Sequence, residues 1–176
     1  MERSSNGSPH VLVIDDDVST LELYQVVLEE EGYYLTLLTT PDLAPEAVST
    51  LAPSLILLDL RFHHETDGVG LLERLKGHPV TRPIPVLVCS ADHQLLDDLY
   101  DRLAAWDCGV LPKPFGLDAL LAAIHACVGG RAAASGFLPI TRYRPGHPRP
   151  DPPGPRHGHG APLGDRWLAD AQCGRS

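Results

Sequence analysis

The chain has 176 residues, 43% of them hydrophobic, which is enough for one domain with a real core. Its formal charge of −9 is unevenly spread: residues 1–128 carry 20 acidic and 7 basic side chains, a net −13, whereas residues 129–176 carry 3 Asp and 7 Arg, a net +4. The acidic front half excludes a nucleic-acid surface there, because phosphate backbones require Lys and Arg, and no apolar run approaches the ~20 residues of a membrane span.

In chain order, two kinds of segment alternate. Val11 to Ile14 is a short apolar run, expected as a strand, and Asp15-Asp16-Asp17 follows it. Thr20 to Glu31 carries Leu21, Tyr24, Val27 and Leu28 at helical spacing, with Asp17 or Ser19 as its cap and Gly32 as its stop. Tyr34 to Thr39 is apolar and β-branched, as a strand should be. Leu43 to Leu51 can form a short helix that Pro53 ends. Leu55 to Asp59 is the next strand, closing on a carboxylate. Val69 to Leu75 is expected to be helical, ending near Gly77 and Pro79. Pro85 to Cys89 is a strand with its Pro at the start, where a missing N–H matters least, and Ser90-Ala91 follows. Leu95 to Ala105 is an amphipathic helix, with Leu95, Leu96, Leu99 and Leu103 opposite Asp97, Asp98, Asp101 and Arg102. Gly109 to Leu111 is the last strand, followed by Lys113-Pro114-Phe115, and Leu117 to Val128 the last helix.

Five strand–helix repeats with near-continuous apolar strands imply an α/β fold, a doubly wound parallel sheet covered by helices on both faces. Right-handed crossovers place the C-terminal strand ends on one edge, where ligands and chemistry sit in such sheets. The expected organisation is one domain over residues 10–129 and a Pro/Gly/Arg-rich tail over 130–176 with no packed fold, its Pro148 to Pro153 run favouring polyproline II. Cys89, Cys108, Cys127 and Cys173 lack zinc-type spacing, and Met1 to His10 lacks a signal pattern, so a reducing, cytoplasmic setting is expected.

Four strand ends each deliver a polar group: Asp15 and Asp16, Asp59, Ser90 and Lys113. Converging carboxylates repel one another, and a hard divalent cation such as Mg2+ would hold them together through oxygen ligands. With one ammonium and one hydroxyl added, the set suits phosphoryl transfer, with an aspartate as nucleophile. The same Asp15-Asp16-Asp17 run would also serve as a simple capping cluster. His63-His64 and Asp97-Asp98 read as solvent-facing polar pairs.

The ordered motifs Val11-Leu12-Val13-Ile14-Asp15-Asp16-Asp17, Leu57-Leu58-Asp59-Leu60, Asp67-Gly68, Ile84 to Ala91 and Lys113-Pro114-Phe115 resemble the receiver domain of bacterial two-component response regulators over Val11 to Val128. The resemblance implies a flavodoxin-like sheet of strand order 2-1-3-4-5. It implies Asp59 as phosphoacceptor, charged by a sensor histidine kinase or a phosphotransfer protein. It further implies Mg2+ held by Asp16, Asp59 and the Arg61 backbone carbonyl, with Asp15 acting through water. Ser90 and Lys113 would grip the phosphoryl oxygens, and Lys113-Pro114 would be cis. Such a module is not an enzyme beyond slow self-dephosphorylation. No DNA-binding segment is visible, so output would run through an unidentified protein partner or a relay. Three positions depart from the family pattern. The loop Arg61 to Thr66 has no Pro, the spacing from Asp59 to Asp67-Gly68 is one residue longer than usual, and Val110 stands where an aromatic switch residue is usual. Activation would then rest on Ser90 and the surface near Leu95 to Ala105. Two other functions remain open: a haloacid-dehalogenase-like phosphatase with Asp15 as nucleophile, and a receiver-like scaffold that needs no phosphorylation.

Overall fold

The computed structural model describes residues 7–63 and 67–129. The strands are β1 (His10–Ile14), β2 (Tyr34–Leu38), β3 (Leu55–Asp59), β4 (Val86–Ser90) and β5 (Gly109–Pro112). The helices are α1 (Val18–Glu30), α2 (Pro45–Leu51), α3 (Asp67–Gly77), α4 (His93–Asp98), α5 (Tyr100–Ala105) and α6 (Leu117–Gly129). The five strands form one parallel sheet of order β2-β1-β3-β4-β5, as expected.

The two-residue period of the strands sorts the core into two layers. Leu12, Ile14, Ile56, Leu58, Val86 and Val88 face one way and pack with side chains of α2, α3, α4 and α5. Val11, Val13, Leu55, Leu57, Leu87 and Cys89 face the other way, towards α1 and α6. Each middle strand is therefore buried on both faces, which is why it reads as an unbroken apolar run.

Local chemistry sets the helix starts. Asp17 caps α1 by accepting from the Ser19 amide, and Gly32, at φ +84°, takes the left-handed turn that follows. α2 begins later than expected, with Pro45 in its first turn. The single helix expected from Leu95 to Ala105 is two. α4 starts earlier, at His93, because the Asp92 side chain accepts from the Leu95 amide and so caps it. A turn at Leu99 then separates α4 from α5. The expected tail over 130–176, including Cys173, lies outside the described residues, as do residues 64–66, His64 among them.

Candidate functional site

Sheet register brings the acidic groups together. Ile14 pairs with Leu58, so Asp15 leaves β1 beside Asp59 at the end of β3. Ser90 pairs with Pro112, which sets Lys113 just beyond it, and the Lys113 amide donates to the Ser90 carbonyl at 2.8 Å. The Lys113-Pro114 peptide is cis, as expected. From there the Lys113 ammonium donates to Asp15 Oδ2 and to Asp59 Oδ2, each at 2.7 Å.

Backbone amides hold the other carboxylate oxygens. Asp15 Oδ1 accepts from the Asp17 N–H and Asp59 Oδ1 from the Arg61 N–H, both at 3.0 Å. Asp16 is engaged by the loop beyond β3: its Oδ2 accepts from the His63 amide at 2.8 Å, with His63 Nδ1 at 3.4 Å. His63 achieves this at φ +46°, a left-handed conformation that costs a residue with a Cβ about 1 kcal/mol or more. Ser90 is fully buried, and its hydroxyl oxygen accepts from the Asp92 amide at 3.2 Å.

Burial and pairing compete over the charges. Burial raises the Asp15 carboxyl above its ordinary value, outweighing the hydrogen bonds from Lys113 and from the Asp17 amide. Burial alone would lower Lys113, but its hydrogen bonds to Asp15 and Asp59 hold it well above the usual lysine range. The ammonium therefore stays charged while Asp15 pays for its enclosure. A raised folded value means that Asp15 contributes most to stability below its ordinary 3.8, and that the contribution fades as pH rises through the folded value. Asp15→Asn is accordingly expected to resist urea better than the parent near neutral pH. The gap should close as the solution is acidified towards the ordinary Asp range.

Two residues that sequence reasoning did not place belong to the frame of the site. Gly68, in the first turn of α3, lies against the backbone that follows the acceptor strand: a Cβ there would sit 2.2 Å from the Asp59 carbonyl oxygen and 2.7 Å from Leu60 Cα. The Asp67-Gly68 motif was visible, but its cause, a close approach of helix to strand, is tertiary. Asp92 caps α4 and also pairs with the Arg61 guanidinium. Its only sequence signal is an Asp just ahead of an apolar-periodic segment. The two roles separate by mutation. Asp92→Asn keeps the cap and loses an exposed ion pair, a change of roughly 0.5 kcal/mol. Asp92→Ala loses both and should cost about 1–2 kcal/mol. Urea unfolding of the two variants checks the difference.

The donor set is all oxygen and outnumbers its cation: carboxylates of Asp15, Asp16 and Asp59 against Lys113. That chemistry suits a hard divalent ion. Among the described residues, though, no three acidic, His or Cys side chains are gathered as a closed metal cluster. Lys113 stands between Asp15 and Asp59, and Asp16 is bonded to the His63 amide. The residues thus fit the ion in kind, and Asp16 is the one that would exchange partners to bind it.

Known proteins resemble this chain in sequence and in fold. Residues 11–125 match the response regulator receiver domain family. The chain is 32% identical over 121 residues to the DNA-binding dual master transcriptional regulator RpaA of Synechocystis, covering 67% of this chain and 48% of that protein. It is 34% identical over 119 residues to the transcriptional regulatory protein BasR of Escherichia coli, covering 66% and 50%. It spans about half the length of such curated relatives. Among solved structures it is similar to the receiver domain of a sensor histidine kinase of Pseudomonas aeruginosa, which has magnesium coordinated in its active-site cleft. That match has a TM-score of 0.60 at 20% identity and covers 70% of this chain and 99% of that one.

Proposed function

Since the chain belongs to the response regulator receiver domain family, we propose that it is a signalling module in which Asp59 accepts a phosphoryl group from the phosphohistidine of a sensor histidine kinase or phosphotransfer protein. The observation that carries this reading is the Lys113 ammonium shared between Asp59 and Asp15. It sets a fixed positive charge where a phosphoryl oxygen would arrive, and fixed charge at the developing anion is the main protein contribution to phosphoryl transfer. A carboxylate oxygen of Asp59 forms the O–P bond as the P–N bond breaks, and the imidazole leaves with that electron pair. The Ser90 hydroxyl, one strand over, donates to the transferred group.

Asp16, Asp59 and the Arg61 carbonyl would hold Mg2+, with Asp15 acting through water. When bound, the ion supplies further positive charge to the phosphoryl oxygens. Asp59 suits the nucleophile better than Asp15: its side chain is 12% exposed, against 3% for Asp15. That disfavours the phosphatase reading, which needs Asp15 to attack.

We take residues 10–129 as the receiver unit. No described helix is long and apolar enough to cross a membrane; the cytoplasm is the setting in which a histidine-kinase donor would meet the site. RpaA and BasR are transcriptional regulators; for the present chain we take output to run through contact with a protein partner or through a relay. The test is incubation with acetyl phosphate and Mg2+ followed by intact-mass measurement. One added phosphoryl group per chain is expected, and EDTA should suppress it. Absence of labelling under both conditions would favour a scaffold that works without phosphorylation.

A further inference from the structure

The mouth of the site carries an ion pair that the phosphoryl chemistry above leaves without a role. Arg61 and Asp92 each stand two residues past a working group, Arg61 past the acceptor Asp59 and Asp92 past the hydroxyl of Ser90. Asp59 lies opposite Cys89 in the sheet, so the loops that leave β3 and β4 start side by side. The Arg61 guanidinium crosses between them and pairs with Asp92 Oδ2. Both residues are also bonded inward. The Arg61 amide donates to Asp59 Oδ1 at 3.0 Å, and the Asp92 amide donates to Ser90 Oγ at 3.2 Å. Asp92 Oδ1 meanwhile accepts from the Leu95 amide at 3.0 Å and caps α4. Acceptor, hydroxyl and helix are thus joined through one guanidinium–carboxylate contact.

That contact is open to exchange. The Arg61 side chain is 42% exposed and that of Asp92 22%, and an ion pair so wetted holds its partners weakly. A phosphoryl group on Asp59 would add nearly two negative charges and three acceptor oxygens. It would do so beside a residue whose backbone already touches the acceptor carboxylate. The planar fork of a guanidinium matches phosphate oxygens and binds them in pairs. Asp92 offers a single charge, and one of its oxygens is committed to the helix cap. A group that attracts Arg61 more strongly than Asp92 does shifts the arginine between two positions. We propose that Arg61 is a phosphoryl-sensing residue: its guanidinium leaves Asp92 for the oxygens of the phosphorylated Asp59, and the released Asp92 lets the β4–α4 loop and the first turn of α4 move. This inference rests on the reading of Asp59 as the acceptor. It gives the site a route to the α4 surface that needs no aromatic side chain where Val110 stands.

Side-chain and backbone 15N NMR of the full chain, with and without beryllium fluoride and Mg2+, tests this. Beryllium fluoride is the probe, a tetrahedral stand-in for the phosphoryl group on a carboxylate. The Arg61 Nε–H signal, assigned by its loss in Arg61→Gln, is expected to shift on loading, together with the amides of Asp92 to Leu96. In Asp92→Asn, which keeps the cap, the unloaded protein should already show part of the α4 shift. In Arg61→Gln, loading should still move the Ser90 and Lys113 amides, but the α4 shifts should shrink at least twofold. An Arg61 Nε–H signal that stays in place while the Ser90 and Lys113 amides move would overturn the exchange and leave the acceptor reading intact. Full α4 shifts in Arg61→Gln would overturn it equally. If no amide around Asp59, Ser90 or Lys113 responds in the parent, the acceptor reading itself fails and the exchange falls with it.

Discussion

Asp59→Asn is expected to abolish labelling by acetyl phosphate and to leave the fold intact. Asn keeps the shape of the side chain, and its amide oxygen can still accept from the Arg61 N–H that now binds Asp59 Oδ1 at 3.0 Å. What disappears is the nucleophilic carboxylate. One of three crowded negative charges goes with it, so the melting temperature should hold or rise, as is common where a site carries charge for function at the expense of stability. Lys113→Met provides the complementary measurement. The acceptor remains, but the ammonium that touches both Asp15 and Asp59 at 2.7 Å is gone, and the labelling rate should fall by roughly 10²-fold. A phosphorylated peptide containing Asp15 but not Asp59, recovered after digestion of the parent, would sink the assignment.

Gly68→Ala should be the most damaging single methyl group in the domain. The atoms it would strike are backbone, the Asp59 carbonyl oxygen at 2.2 Å and Leu60 Cα at 2.7 Å, so no side-chain rotation can relieve the clash. Either α3 lifts from the sheet or β3 shifts under it. Overpacking of this kind costs about 3 kcal/mol, and in a domain of this size that lowers the melting temperature by roughly 10 °C. Because the displaced backbone carries the acceptor, labelling by acetyl phosphate should slow as well. Gly70→Ala, one helical position pair away, is the control: its nearest neighbour would be an Arg74 guanidinium nitrogen at 3.6 Å, ordinary contact. A thermal melt of both variants decides between local geometry and a general intolerance of α3.

The architecture was legible because the strands are short and apolar on both faces. β3 runs from Leu55 to Asp59 as its pattern predicts, since its alternate residues feed two different cores and leave no polar position inside it. The start of α4 was less legible. His93 and Gln94 carry no apolar signal, and the helix owes that turn to the Asp92 cap. The convergence of Asp15, Asp59 and Lys113 followed from motif order and a parallel sheet. The engagement of Asp16 by the His63 amide did not, because it depends on a left-handed residue in a loop with no glycine to announce it. Arg61–Asp92 was equally hidden: it joins residues 31 positions apart through side chains that each look solvated in the sequence.

The two-layered core also makes the protein its own reporter of breathing. Cys89, Cys108 and Cys127 are all buried, and burial pushes their thiols up to about 12, 11 and 12. A thiolate-seeking reagent therefore finds none of them in the closed domain at neutral pH. Cys89 pairs in register with Asp59, Cys127 lines the inner side of α6, and Cys108 belongs to the opposite layer. The order in which the three become alkylated is thus a record of which layer parts from the sheet first.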